Sequence, residues 1–463
     1  MPTVTSVPGV YIEEDATPAM SVSPGATAIP LFIGRFNPLK PELAGVITRV
    51  SSWLDYSTQF DTSISSSASV TITSTLVENA PESLDSSTDS DKSVKRRAKG
   101  VMREEEKGYI YEIEEIEISE SIASIALQLY FQNGGGPCYL YPLEKADDAK
   151  QLAALPELID EVGEITLLAS PESNETYRNT VYGALASSLS QFKGYFLLAD
   201  SSGGQAPSGV SGSAHVAVYY PDIVVPYVRE IDDADVTIEG YVDGNEKAIT
   251  TLAELRASNA VLAKSIDEYL DKKAATPLLI PPSSLMAGVY CKTDRERGVW
   301  KAPANVVING LSDISVRVTD EQQGEMNLAG INVIRHFSDR GFVVWGGRTQ
   351  QDDDDWRYIS VRRLFDAAER DIKKALRPML FEPNSQPTWK RVQTAIDNYL
   401  YSLWQQGGLA GNKVEEAYFV HVGKGITMTQ DDINQGKMII HIGMAAVRPA
   451  EFIILKFTQD MSQ

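Results

Sequence analysis

Cysteine and histidine are scarce in this chain, and their scarcity excludes several chemistries at once. Two cysteines in 463 residues, Cys138 and Cys291, lie far apart and in no metal-ligand spacing, which rules out a disulfide framework and fits synthesis in a reducing cytosol. The four histidines, His215, His336, His421 and His441, are scattered. His421 and His441 fall in β-patterned runs and are placed to face one another across a ladder, but two imidazoles without a third ligand make a poor zinc site. No apolar run approaches the roughly 18–20 residues that span a bilayer. The opening MPTVTSVPGVYIEE has neither a basic nor an apolar region of the kind a secretory leader carries. Basic charge is also lacking: 42 Lys and Arg face 63 Asp and Glu, a formal charge of −21. That balance argues against nucleic acid, which needs clustered cations to displace counterions, and against an anionic membrane surface. It favours solubility, with binding left to local patches that depart from the average.

Enzymatic signatures are missing too. Gly134-Gly135-Gly136 follows a helical pattern and precedes a strand, the reverse of a phosphate-binding loop, and reads as a helix stop. No serine sits in a G-x-S-x-G elbow. SSLMAG at 283–288 faintly echoes a protease serine, and Asp200 ends a strand where α/β enzymes place ligands. Asp200 is expected to cap the loop at 201–204. The acidic run at 352–355 lacks the spaced oxygens of a calcium loop and reads as an exposed turn capping the next helix. No cofactor is expected.

What is present is a chain long enough for two or three cores, 43% apolar and 23% charged. Residues 1–20 are polar and proline-punctuated around a β-prone Val10-Tyr11-Ile12, which suits an extended arm or an edge strand, with a frayed terminus as the other reading. After a first strand, LFIGRF, residues 51–90 are dense in Ser and Thr. The alternation in SASVTITSTLVE pulls toward a β-insertion, with a disordered linker as the other reading. From 112 to 280 strand and helix patterns alternate, predicting a mostly parallel sheet covered by helices. Ser119 is a plausible N-cap for a helix through Ile122 and Leu129. Pro156 is expected to kink a helix or divide it in two, and one long helix is expected over 249–272. Beyond 301 the pattern turns α+β: helices near 357–380 and 388–405, then three strands, EAYFVHV, KMIIHIGMAAV and EFIILKF. Residues 361–377 carry a net +3 within this acidic chain. They form either a solvated helix face laced with i,i+4 pairs or a contact for an acidic partner.

The order and spacing of PPSSLMAGVYCKTDRERGVWKAPAN, GFVVWGGRT, YISVRR and FEPN, together with PGVYIEE near the start, resemble the sheath proteins of contractile phage tails, tailocins and phage-tail-like injection particles. The resemblance is strong over the first fourteen residues and from about 281 onward, weaker through the middle, and absent from about 37 to 107. It implies a subtilisin-like α/β domain at 111–300, a sheath core at 301–448, a segment at 21–110 made of the first strand and the insertion, and extended β arms at 1–20 and 449–463. It implies no enzyme but a structural subunit that polymerises helically around an inner tube and contracts. Expected partners are other sheath subunits, the tube, the baseplate and a terminator or cap, with no nucleic acid and no membrane insertion. Synthesis would be in the bacterial cytoplasm, and the product part of a tail or extracellular particle. The arm strands would be Val10, Tyr11 and Ile12 at one end and Glu451, Phe452, Ile453, Ile454 and Leu455 at the other. Tube contacts would come from Arg362, Arg363, Lys373, Lys374 and Arg377. The competing readings are a baseplate or shell component and an α/β hydrolase.

Overall fold

A computed structural model describes residues 20–62, 66–76, 103–106, 109–146, 148–189, 193–227, 231–242, 247–452 and 454. At its centre is a sheet of eight strands in the order Gly341–Trp345, Ile331–Phe337, Val216–Tyr220, Phe196–Asp200, Leu167–Ala169, Pro30–Gly34, Cys138–Pro142 and Thr48–Val50. The inner strands pair in parallel, and each outermost strand is antiparallel to its neighbour. The runs PLFIG, CYLYP and FLLAD are buried from end to end. Continuous apolar runs of this kind are what strands covered on both faces require. Successive side chains go to opposite cores: Phe32 packs with the helices Ala123–Gln132 and Ser283–Arg297, and Leu31 and Ile33 with Ala149–Val162 and Glu175–Leu189. The two helices on the first face approach closely because position 288 has no side chain; a Cβ there would stand 2.3 Å from the Tyr130 carbonyl oxygen.

Several local expectations are corrected. Ser119 is not an N-cap: it lies in the strand Tyr109–Glu120, opposite Ser67, and the helix starts at Ala123. Of the two readings at Pro156, division into two helices is overturned, since the residue sits inside one helix, Ala149–Val162. The helix expected over 249–272 is two, Leu252–Ser258 and Ala260–Ala274, parted at Asn259, whose side chain accepts the Leu262 amide at 3.0 Å and caps the second.

The Ser/Thr-rich run is folded where it is described. Residues 66–76 and 109–120 form a long antiparallel ladder, completed by Arg103–Glu106 and Val236–Glu239. Its inner face, with Val70, Ile72, Ile113 and Ile238, packs on Leu255, Leu262 and Ile266 of the two helices just named. Residues 231–242 and 247–274, read from sequence as part of the central domain, thus share a separate small core with the insertion. The KRR run at 95–97 lies outside the described residues.

The strands at 331–345, read from sequence as the start of the α+β region, instead extend the central sheet, with Ile331 opposite Val218. Ile331, Asn332, Val333 and Ile334 are all buried, a pattern that requires cover on both faces. The open side of the outermost strand is closed by the chain itself: the Asn305 and Ile308 amides donate to the carbonyls of Val344 and Phe342, and the Val344 amide to that of Val306. An edge blunted this way does not template unwanted pairing.

The remaining unit holds the helices Ile359–Leu376 and Gln386–Gln405 and the hairpin of Tyr418–Val422 with Ile440–Met444. Leu364, Ala368 and Ile372 pack against Val392, Ile396 and Leu400, and Val22 from the start of the described chain joins them. Glu451, Phe452 and Ile454, the described part of the expected last strand, have no strand pairing among the described residues. No helix among the described residues is long and apolar enough to cross a membrane.

Candidate functional site

The basic helix Ile359–Leu376 divides into two chemically different halves. Arg362 and Arg363, expected to face the tube, are 2% and 3% exposed. Arg362 pairs with Asp366 at 2.9 Å and Glu369 at 3.2 Å, with its guanidinium 4.0 Å from the centre of the Trp356 ring. Arg363 makes a two-pronged contact with Asp294 at 3.0 and 2.6 Å, donates to the Thr27 carbonyl, and lies 4.7 Å from the Tyr290 ring centre. Burial works against the Arg363 charge, but the Asp294 carboxylate outweighs it and holds the guanidinium pKa above its ordinary value. Both side chains are spent inside the subunit and do not form a contact face. Half-buried Arg370 donates to the Gly194 carbonyl, and burial lowers its pKa.

Lys373, Lys374 and Arg377 remain exposed on the last turn and just beyond it. Lys373 lies near enough to help lower the pKa of Asp160, after the hydrogen bonds from Lys193 and Tyr195 that oppose its desolvation. An apolar groove of about 820 Å³ separates this helix from the hairpin, lined among others by Trp356, Phe365, Leu376, Leu380, Ile442 and Met444.

The described chain is held by side chains close to where its description begins and ends. On the N-terminal side the Gly25 amide donates to Asp371 at 3.1 Å, and the Thr27 hydroxyl donates to Asp294 at 2.6 Å. Asp294 and Arg363 therefore hold Thr27 from its side chain and its carbonyl. Val10, Tyr11 and Ile12 lie outside the described residues. On the C-terminal side Glu451, expected as the first residue of a donated strand, is held in its own subunit. Its carboxylate accepts from Arg348 Nε at 3.1 Å and Nη2 at 2.6 Å. Phe452 and Ile454 beyond it are exposed; Ile453 and Leu455 lie outside the described residues.

The candidates for enzyme chemistry have structural partners. Asp200 does not cap the loop after it. Its carboxylate accepts the amide and hydroxyl of Ser283 at 2.8 and 2.7 Å and the Tyr182 hydroxyl at 3.3 Å, joining the sheet to the start of the helix Ser283–Arg297. Burial raises the Asp200 pKa to about 6, against the lowering influence of Arg178 and Ser283. Asp353 caps the Asp355 and Trp356 amides, so the acidic run closes a turn of its own. The helix that follows begins later, at Ile359, without a side-chain cap. His421 and His441 stand directly opposite in the hairpin, both exposed. The buried His215, not singled out from sequence, lies 3.3 Å from Asp366 and links the central sheet to the basic helix. The sequence signal for this cluster is the general i,i+4 charge spacing along residues 361–377.

The described residues thus form a mixed α/β core and a helical unit with a small hairpin, with polar clasps at Gly25, Thr27 and Glu451. Residues 229–350 match the phage tail sheath protein central domain, and residues 351–460 the phage tail sheath C-terminal domain. Among solved structures, the chain is 62% identical to a protein in the anti-feeding prophage helical sheath in its contracted state, covering 99% of this chain and 100% of that one, with a TM-score of 0.71. It is 36% identical to a chain of the contracted PVC sheath complex of an extracellular contractile injection system, covering 99% of each at a TM-score of 0.65. The tail sheath protein of Vibrio phage KVP40 is 26% identical over 189 residues, 39% of this chain but only 28% of that protein. The chain belongs to the contractile tail-sheath family.

Proposed function

We propose that this chain is a structural subunit of a contractile sheath, polymerising helically around an inner tube and contracting to drive that tube through a target envelope. The observation that carries this reading is the end-to-end similarity to a protein of a contracted helical sheath. A chain 63% identical over its full length also occurs in the anti-feeding prophage baseplate structure, which supports assembly with a baseplate. The finer reading is mechanical. The arms around Val10 to Ile12 and beyond Glu451 leave the subunit and pair with sheet edges of neighbours. Such contacts are heterologous and open, and open contacts build helical filaments rather than closed rings. Contraction repacks nearly rigid subunits into a state of lower free energy while the donated segments stay attached, and needs no nucleotide. Lys373, Lys374 and Arg377 form the tube-facing patch, recognising an acidic surface; Arg362 and Arg363 are withdrawn from that role.

The direct test is to express the chain with residues 1–14 or 452–463 removed and image it beside its tube protein. Folded subunits that form no cylinders are expected. Normal cylinders from both truncations would sink the strand-donation reading.

A further inference from the structure

We infer that Arg348 and Glu451 form a clasp that fixes where the C-terminal arm leaves its subunit, making the pair positioning residues for contraction. This rests on the reading of 452–463 as a donated segment. Among the described residues, the last backbone hydrogen bond before the clasp is a long one, from the Val447 amide to the Gly408 carbonyl at 3.4 Å. Among the described residues, the one ion pair between there and Glu451 joins Arg448 to Asp355 at 3.9 Å, with both side chains largely exposed. Glu451 then meets Arg348 through its guanidinium fork, with the two side chains 16% and 9% exposed. Arg348 is itself fixed: Nη1 donates to the Asn327 carbonyl, and its backbone amide and carbonyl bind the buried Asn332 side chain. The next residue, Phe452, is 74% exposed. Within one residue of this anchor, at Phe452, the chain is back in solvent.

A planar fork on a carboxylate sets direction as well as distance, which a single ammonium does not. Rings that rotate past one another pull on donated segments. An arm rooted at Glu451 has a short, fixed tether, whereas one that peels back toward Val447 gains about four residues, on the order of 13 Å of extended chain. That slack would let neighbouring subunits fall out of register during contraction.

The test uses the full chain with Glu451→Gln, Arg348→Lys and a separate deletion of 452–463. A nitroxide on Ala450→Cys reports the anchor's motion in the free subunit; Cys138 and Cys291 are buried and escape labelling. Glu451→Gln is expected to speed label motion several-fold, to leave cylinder formation intact, and to raise the fraction of torn or uneven sheaths after triggered contraction at least several-fold. Arg348→Lys keeps the charge but loses the fork, and is expected to fall between wild type and Glu451→Gln on both measures. Unchanged label motion, or contraction as uniform as in wild type, would overturn the clasp. If the deletion alone leaves cylinders normal, the arm reading has failed; label motion in the free subunit still decides whether the pair anchors the root.

Discussion

Replacing Arg363 with methionine separates a structural arginine from a docking one. The side chain is 3% exposed, makes two prongs to an Asp294 carboxylate that is 5% exposed, and bonds the Thr27 carbonyl. Methionine fills comparable volume but leaves Asp294 with the Thr27 hydroxyl as a remaining partner and its charge uncompensated. Breaking a buried pair from one side costs about 3–5 kcal/mol, whereas an exposed pair is worth about 0–1 kcal/mol. The expected loss for Arg363→Met is therefore about 3–5 kcal/mol. Adding Asp294→Asn removes the stranded charge and is expected to restore most of it. Urea unfolding of the purified subunit, with midpoint and slope followed together, measures both steps. A single-variant loss below about 1 kcal/mol, or a double variant weaker than the single, would refute the reasoning.

Reversing Lys373, Lys374 and Arg377 to glutamate changes exposed groups, so stability should move by only about 0.5 kcal/mol per site. Co-sedimentation with tube is expected to fall steeply; unchanged tube binding would remove these residues from the contact. Asp200, with its pKa raised by burial to about 6, titrates in an accessible window. Its folded form holds a proton that the unfolded form releases near pH 4, so its contribution is greatest below about pH 4 and is lost as pH rises through 6. The difference is on the order of 3 kcal/mol, and Asp200→Asn should flatten the stability profile between pH 4 and 7 relative to wild type; an identical profile would contradict this. Gly288→Ala forces a Cβ against the Tyr130 carbonyl and should cost roughly 1–3 kcal/mol by overpacking. A neutral result in thermal melts would mean the two helices part freely.

Much of the fold was readable where local pattern decides it. PLFIG, CYLYP and FLLAD are apolar throughout because both faces are covered, and the stripe through Leu364, Ala368 and Ile372 has a helical period with a partner helix close in sequence. The misreadings share a cause: partners distant in the chain. Nothing near 331–345 says that Ile331 will lie beside Val218, and Ser119 reads as a cap until the ladder with Ser67 claims it. Asn259 interrupts a run whose apolar spacing continues past it. The site shows the same limit. Arg362 and Arg363 count as surface charge until Trp356 covers one and Asp294, far back in sequence, binds the other. Glu451 looked like the first residue of a free strand because its partner, Arg348, lies a hundred residues earlier.

The most direct measurement is electron cryo-microscopy of cylinders assembled from this chain around its tube. The account predicts a helical lattice in which Lys373, Lys374 and Arg377 line the lumen and residues beyond Glu451 cross into a neighbouring subunit. A lattice with those three residues on the outer surface, or with every chain end folded back on its own subunit, would contradict it.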